Sequence, residues 1–477
     1  MTDNSNRPVL AVLTSHWLSM VGATLVTIAG FTWLLVLPQQ MRGHTSNPYA
    51  GIILFVILPI VFFLGLALIP IGVFLARRRI RTTLDSAPLD RQTSLRRLGI
   101  FLTVATFLNV IIGSQLTYRA VEHMETAQFC GNTCHVMKPE FVAHKQAVHS
   151  KLACVECHVA PGVGGWVESK MSGTRQLMEV LTDSHPRPIP SAMESDRLVS
   201  SADTCEHCHA KDNFASAKLR LIPDFAADES NTPSQTVLMM LVGGSKFPGI
   251  HGSHFGPGIS IRYSPQDAKR QTIPWVEYQN TNKGAKRVYT VTNQNADLAK
   301  LPKYEMQCVD CHNRPAHTFE LAERALNREM QFGGISVTLP FIKKKSTEVL
   351  KTGYKSSEEA ALRIPESIRS FYATSYPALS QSRAADIDQA AKTVLAIYNR
   401  NVFPDLKVSW GTYPNNLGHT DFPGCFRCHD GEHNSPDQHT ITQDCGVCHE
   451  TISVAETSPE ILKTLGLADR IAAIQKK

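Results

Sequence analysis

Residues 130–140 read CGNTCHVMKPE, and the same signature returns as CVECH at 154–158, CEHCH at 205–209 and CVDCH at 308–312. It returns again as CFRCH at 425–429 and CGVCH at 445–449. The pairs Cys130/Cys134, Cys154/Cys157, Cys205/Cys208, Cys308/Cys311, Cys425/Cys428 and Cys445/Cys448 use all 12 cysteines. Each pair is followed at once by a histidine: His135, His158, His209, His312, His429 and His449. C-x-x-C-H is the attachment signature of a c-type haem, in which two thiols form thioethers and the adjacent imidazole ligates the iron. Five motifs have that spacing, and the first has one residue more.

Other uses of paired cysteines account for the pattern poorly. Histidine is 19 of 477 residues, so six chance placements after the second cysteine come to on the order of one in 10⁸. Tetrahedral zinc does not demand a histidine at that position, and partners three residues apart on a tight turn make poor disulfides. Six covalently attached haems c are therefore expected, and with them electron transfer.

The chain is longer than one ordinary domain. Its formal charge of +6 is mild, and much of it sits in one stretch. Covalent haem attachment takes place on the outer side of an energy-conserving membrane, so an exported part is expected. Three apolar runs, 17–37, 51–76 and 98–117, precede it. Each is about 20 residues or longer, enough to cross a hydrocarbon core. No small-x-small cleavage site follows the first run, where Leu37-Pro38-Gln39-Gln40 stands. Arg77, Arg78, Arg79, Arg81, Arg91, Arg96 and Arg97 lie between the second and third runs, against Arg42 alone between the first two. The positive-inside rule puts the arginine loop in the cytoplasm and delivers Cys130 to the periplasmic side. That position explains the arginines without a nucleic-acid partner.

The expected fold is mainly α: three N-terminal transmembrane helices, then an exported multihaem c-type cytochrome domain of short helices and loops with few strands. Residues 1–117 form the membrane anchor. Residues 118–212 hold three motifs and residues 213–477 the other three. Glycines and prolines punctuate 243–258, and alternation near 259–263 and 287–291 suggests strands. Apolar spacing predicts helices over 318–331 and 384–398.

Each motif histidine fills one axial position. His149, His251, His254, His317, His419 and His433 are the candidates for the opposite faces. His251 and His254 lie in the glycine-rich run GIHGSHFGPG (249–258), where the backbone can approach a macrocycle. His123, His144, His185, His207 and His439 are weaker candidates. At the first motif Met137, two residues beyond His135, could replace it as ligand and raise the potential.

The run CGNTCHVMKPE, the His149-Ser150 pair, CVECH and SKMSGTRQ (169–176) resemble the NapC/NirT family of membrane-anchored multihaem cytochromes. The resemblance covers roughly residues 95–215. It implies a quinol dehydrogenase that passes electrons from membrane quinol to a periplasmic cytochrome or reductase. It implies Met137 as a ligand at the first haem and His149 as a distal ligand. It also places Lys170 in the quinol site, with Glu140 or Glu179 as acidic partner. The remainder, with IPWVEY (273–278), CVDCHNRP (308–315) and CFRCHDGEH (425–433), resembles longer, ImcH-like inner-membrane relatives. Three apolar runs and six motifs depart from the usual one anchor and four haems.

The location implied is the bacterial inner membrane, multi-pass, with the haem domain on the periplasmic side and the lipid bilayer as a partner. Two further functions fit an electron carrier. One is a wire subunit fed by another membrane dehydrogenase. The other is a terminal oxyanion reductase, which would need an open iron.

Overall fold

The computed structural model describes residues 17–19, 21–23, 25–27, 29–30, 56–80, 115, 118–119 and 121–475, the last apart from 196, 211–213, 215–216, 245–247 and 292–296. The chain divides into two units, Met1–His135 and Val136–Lys477.

In the first unit, α1 (Leu58–Ile80) carries an 18-residue window, Leu58–Leu75, of mean hydropathy 2.6. Ile60, Phe63 and Phe74 are exposed on it. A helix without a polar face and with little buried surface is suited to lipid rather than to a protein core. The apolar helical stretch Trp17–Thr27 packs against it through small residues. A Cβ built on Gly22 would stand 2.6 Å from the Gly65 carbonyl oxygen, and Ser19 Oγ donates to the Ile69 carbonyl at 3.2 Å. Small residues allow such close backbone approach where no hydrophobic effect drives helices together. Of the three expected spans, the second is thus an apolar helix long enough to cross a bilayer. The first is described as far as residue 30, and the third, apart from residue 115, lies outside the described residues.

The second unit contains more strand than expected. Helices α2 (Lys138–His144) and α3 (Gly162–Leu181) precede two antiparallel sheets. β1 (Lys218–Phe225) and β2 (Pro233–Met240) form a hairpin, to which β8 (His449–Glu456) adds across β2. The second sheet has the order β6-β3-β4-β5-β7. Its strands are β3 (Ile259–Ser264), β4 (Trp275–Asn280), β5 (Ala285–Val291), β6 (Tyr304–Glu305) and β7 (His433–Asn434). The short helix α4 (Ile250–Phe255) links β2 to β3. The motif-free stretch 213–307 pairs its own backbone because antiparallel hairpins need short connections. Ile261, Tyr263, Ile273 and Val276 form the core of the second sheet.

A helical layer follows the fourth motif. It comprises α5 (Ala322–Gln331), α6 (Ile342–Lys351), α7 (Ser357–Ser375) and α8 (Ala384–Asn401). Ile364, Ile368 and Tyr372 recur at four-residue spacing on α7, so they share one face, and all are fully buried. They pack with Leu326, Ile342, Leu350, Val394 and Ile397. The side chain of Ser356 caps α7 by accepting from the Glu359 N–H at 3.2 Å. Asn231, at the β1–β2 turn, donates to the carbonyls of Val337 and Leu339 and accepts from the Lys343 N–H. One buried amide therefore ties the first sheet to the helical layer.

Candidate haem centres

Four of the five C-x-x-C-H motifs of the second unit are single turns closed by the motif histidine, whereas in the sixth the Cys448 N–H closes the turn on the Cys445 carbonyl at 3.1 Å and His449 opens β8. The His N–H donates back to the first Cys carbonyl at 3.1 Å in His158, 2.9 Å in His209, 2.8 Å in His312 and 3.1 Å in His429. Such a turn carries both thiols and the imidazole on one short arc. The first motif is wound differently. Phe129–Thr133 is a π-helical turn, which takes up one residue more per turn. This is the local device that accommodates C-x-x-x-C-H.

All 12 cysteines are free of disulfides. Burial pushes the Cys311 and Cys428 thiols up to about 12. Groups so placed are poor thiolate ligands for an ion, whereas a neutral thioether suits an apolar site. At these two motifs the covalent attachment expected from the sequence therefore fits its surroundings.

Cys208 departs from that pattern. It is exposed, as are Cys157, Cys425 and Cys445. The cause is the placement of the third motif. Its 3-10 turn, Cys205–His207, ends at Cys208 as the C-cap, and Cys208, His209 and Ala210 all lie at the surface. The half-buried Cys311 and Cys428 instead belong to turns that share a hydrogen-bonded interior with the buried Asp310 and Arg427. Protein burial therefore gives Cys208 no apolar shelter, and its assignment to haem attachment rests on the motif spacing and on the turn it shares with Cys205 and His209.

The histidines supply the clearest geometry. The ring of His158 lies 6.1 Å from that of His317, His209 lies 6.0 Å from His149, and His312 lies 6.1 Å from His251. His429 lies 5.9 Å from His254, and His449 lies 6.3 Å from His419. Rings in direct contact are closer: Phe426 stacks on His419 at 4.2 Å, and Phe214 meets His251 at 4.4 Å. Two metal–imidazole bonds of about 2 Å and two steps of about 1.1 Å from nitrogen to ring centre sum to about 6.2 Å. Five motif imidazoles thus face a second imidazole across the spacing that an axially ligated iron requires.

Backbone acceptors orient several of these rings. Nδ1 lies 2.7 Å from the Ile250 carbonyl in His254, 3.2 Å from the Pro315 carbonyl in His149, and 2.7 Å from the Thr442 carbonyl in His429. A bond at Nδ1 selects the tautomer that leaves Nε2 as acceptor. Burial is the first cause that holds His158, His251, His254 and His312 below the usual imidazole range, and it takes His317 down to about 4. They are neutral, the form that binds a metal.

His433 is different. It is fully buried, with Nδ1 2.9 Å from Asp430 Oδ1 and Nε2 2.7 Å from the Ile273 carbonyl. Both nitrogens are used by the protein. Among the described residues, His185, His207, His433 and His439 face no motif imidazole. His144, a weaker candidate by sequence, is buried with its ring 5.9 Å from that of His317. His135–Met137 forms a short 3-10 turn.

The residues placed in the quinol site by resemblance are dispersed. Lys170 and Glu179 lie nine residues apart on α3, about 13.5 Å along the axis. Lys170 Nζ lies 5.4 Å from the Trp166 ring centre, and Glu179 pairs with Arg175. Glu140 is half-buried on α2 beside His317. Burial is the first cause that raises it, opposed by Arg314 and His158.

The NapC/NirT cytochrome c family N-terminal region matches residues 92–221. The chain is 37% identical over 462 residues to cytochrome c-type protein ImcH of Geobacter sulfurreducens, covering 93% of this chain and 89% of that protein. It is 27% identical over 124 residues to cytochrome c nitrite reductase subunit NrfH of Nitratidesulfovibrio vulgaris, covering 26% of this chain and 75% of that one. It is 25% identical over 142 residues to cytochrome c-type protein TorC of Escherichia coli K12, covering 26% of this chain and 34% of that one. No solved structure matches. The attachment turns, the facing imidazoles and a likeness spanning most of the chain agree: the chain belongs to the NapC/NirT family of multihaem c-type cytochromes, proteins of electron transfer.

Proposed function

We propose that the chain holds six covalent haems c and conducts electrons from membrane quinol to a periplasmic cytochrome or reductase. The observation that carries this reading is the set of five motif imidazoles, each faced by another at about 6 Å. The pairs His158/His317, His209/His149, His312/His251, His429/His254 and His449/His419 are proposed as axial ligands. The 12 motif cysteines would hold the macrocycles through thioether bonds. His433 leaves the ligand set, because both its nitrogens are committed to protein acceptors and a carboxylate. When bound, each haem supplies a one-electron couple whose potential the axial ligands set.

Five closed irons leave no substrate position at those centres, which disfavours the oxyanion reductase. At the first motif, His135 or Met137 completes the iron, and this is the proposed entry point. Quinol oxidation yields two electrons and two protons, so a residue there must accept protons. Lys170, half-buried on α3, is assigned to hold the quinol oxygen. Glu140 is retained as candidate base. Glu179 is the weaker partner, being paired with Arg175 and remote from Lys170. The bacterial inner membrane, entered through α1 and the other apolar runs, is the proposed location, with the haems on the periplasmic side.

The test is anaerobic mixing of the purified membrane form with a menaquinol analogue while the reduced haem band is followed. Reduction that is lost in Met137→Ala or Lys170→Ala supports quinol oxidation at the first centre. Absence of reduction in the wild type, with six haems that dithionite reduces fully, would favour a wire fed by another membrane dehydrogenase.

A further inference from the structure

Helix α4 carries two histidines, His251 and His254, three residues apart. Residues at that spacing are neighbours on one helical face, with Cβ atoms about 5–6 Å apart. Their rings nevertheless face different motifs. His251 faces His312 of the fourth motif, with planes 19° apart at 6.1 Å, and His254 faces His429 of the fifth at 5.9 Å. We propose that α4 is a two-headed ligand helix, in which His251 binds the iron held by Cys308 and Cys311 and His254 binds the iron held by Cys425 and Cys428. The inference rests on the haem attachment and ligand pairs proposed above, and adds to them that two of the irons form one unit held by a single helix.

The placement of α4 is built into the backbone around it. The segment after β2 and the start of α4 touch directly: the Ile250 N–H donates to the Leu241 carbonyl at 2.9 Å and the His251 N–H to the Val242 carbonyl at 2.8 Å. Gly249, at φ +140°, makes the approach possible, since a Cβ there would lie 2.6 Å from the Leu241 oxygen. His254 is oriented by its own helix through the Ile250 carbonyl. The Phe214 ring, five residues beyond the third motif, supports His251.

A second, independent feature locks the same two motifs together from behind. The residue before the second cysteine is Asp310 in the fourth motif and Arg427 in the fifth, and both are buried. Arg427 donates to the Asp310 carbonyl at 2.6 Å, to the Arg270 carbonyl at 3.0 Å and to the Gly424 carbonyl at 2.8 Å. The Asp310 carboxylate accepts from the Gln307 N–H at 2.7 Å and from the Tyr263 hydroxyl, to which Arg270 donates in turn. A buried charge so fully satisfied is rigid, and breaking it is costly. The two attachment turns are thus clamped to each other, and their proposed distal ligands share one helical turn.

The pair also has neighbours in chain order. His149, just before the second motif, faces His209 of the third. Gln307, just before the fourth motif, accepts from the Ser201 N–H near the third at 2.8 Å. His419 stacks on Phe426 of the fifth motif and faces His449 of the sixth. Consecutive motifs from the second to the sixth are thus linked by contacts, and His317, five residues after the fourth motif, also reaches His158 of the second.

The test replaces each histidine by methionine in the full-length, detergent-purified protein and reads the near-infrared methionine–iron band and the haem count. His251→Met and His254→Met are each expected to convert one haem from bis-His to His–Met, and the double variant is expected to show twice the band of either. In a Cys308→Ser/Cys311→Ser background with five haems, the His251→Met band is expected to vanish and the His254→Met band to persist. The Cys425→Ser/Cys428→Ser background is expected to reverse this. No band in either single variant with six haems attached overturns the assignment, as does a double variant no stronger than a single one. The double-variant comparison needs no haem-deficient background, so the test survives if those backgrounds fail to fold. A wild type lacking six haems or bis-His spectra would instead overturn the proposed function.

Discussion

His317 Nδ1 lies 3.0 Å from the backbone carbonyl of Glu140 and 3.3 Å from its carboxylate, joining the segment after the fourth motif to the helix after the first. The ring is thereby held with Nε2 free, flanked by His158 and His144. His317→Gly is expected to turn one low-spin haem high-spin in electron paramagnetic resonance, with recovery on adding imidazole. His144→Ala is expected to leave all low-spin signals in place. The opposite pattern would make His144 the ligand.

His433 provides the contrast. Its removal strands the Asp430 carboxylate and the buried Ile273 carbonyl, which costs about 1–3 kcal/mol. His433→Phe is expected to lower denaturant stability by that amount while haem count and low-spin signals stay at wild-type levels. Loss of a low-spin signal would return His433 to the ligand set.

Gly424 precedes the fifth motif at φ +50°, and a Cβ there would stand 2.9 Å from the Asn416 oxygen and closer still to the Gly418 oxygen. The Cys425 N–H donates to that same Gly418 carbonyl at 2.9 Å. Gly424→Ala is expected to displace the turn and yield protein with five haems by pyridine haemochrome assay. A full complement of six would show that the turn tolerates the side chain.

Lys343 is buried in the helical layer, where its ammonium donates to the Glu323 carbonyl and the Asn327 side chain. Burial takes it from 10.5 down to about 8. Below about 8 the group is charged in both folded and unfolded chains, and the burial penalty is present in full. Between about 8 and 10.5 the unfolded chain alone holds the proton, so stability rises with pH. The gain approaches about 3 kcal/mol across that window. Urea unfolding of the helical layer at pH 7 and pH 10 checks this. Lys343→Met is expected to remove the rise, and a wild type with equal stability at both pH values would refute it.

The sequence made the attachment sites legible because covalent chemistry fixes their local spacing: two thiols and an imidazole must share one turn whatever surrounds them. What surrounds them was not legible: Cys208 and Cys428 occupy the same motif position, yet one is exposed and the other is enclosed by packed segments. Local chemistry also exposes α1, whose composition is set by its solvent, and α8, whose Ile387, Ala390, Ala391 and Val394 stripe reads directly as a buried face. The strands were less legible. β1 and β2 carry mixed burial along their length, because one partner of their sheet, β8, arrives from more than 200 residues away. α7 was hidden by Pro365 within it.

Histidine position along the chain nominated His149, His251, His254, His317 and His419 as ligands and equally nominated His433. Nothing local separates them, since an imidazole two nitrogens wide can face a metal or two protein groups. Only the tertiary structure brings Ile273 and Asp430 to His433, and His312 and His429 to the two ends of α4. The sequence by itself determined where two thiols and an imidazole share one turn, since that spacing is local. The fold decided which imidazole faces which, since those contacts join residues up to 175 positions apart, His254 and His429, and depend on how the segments pack.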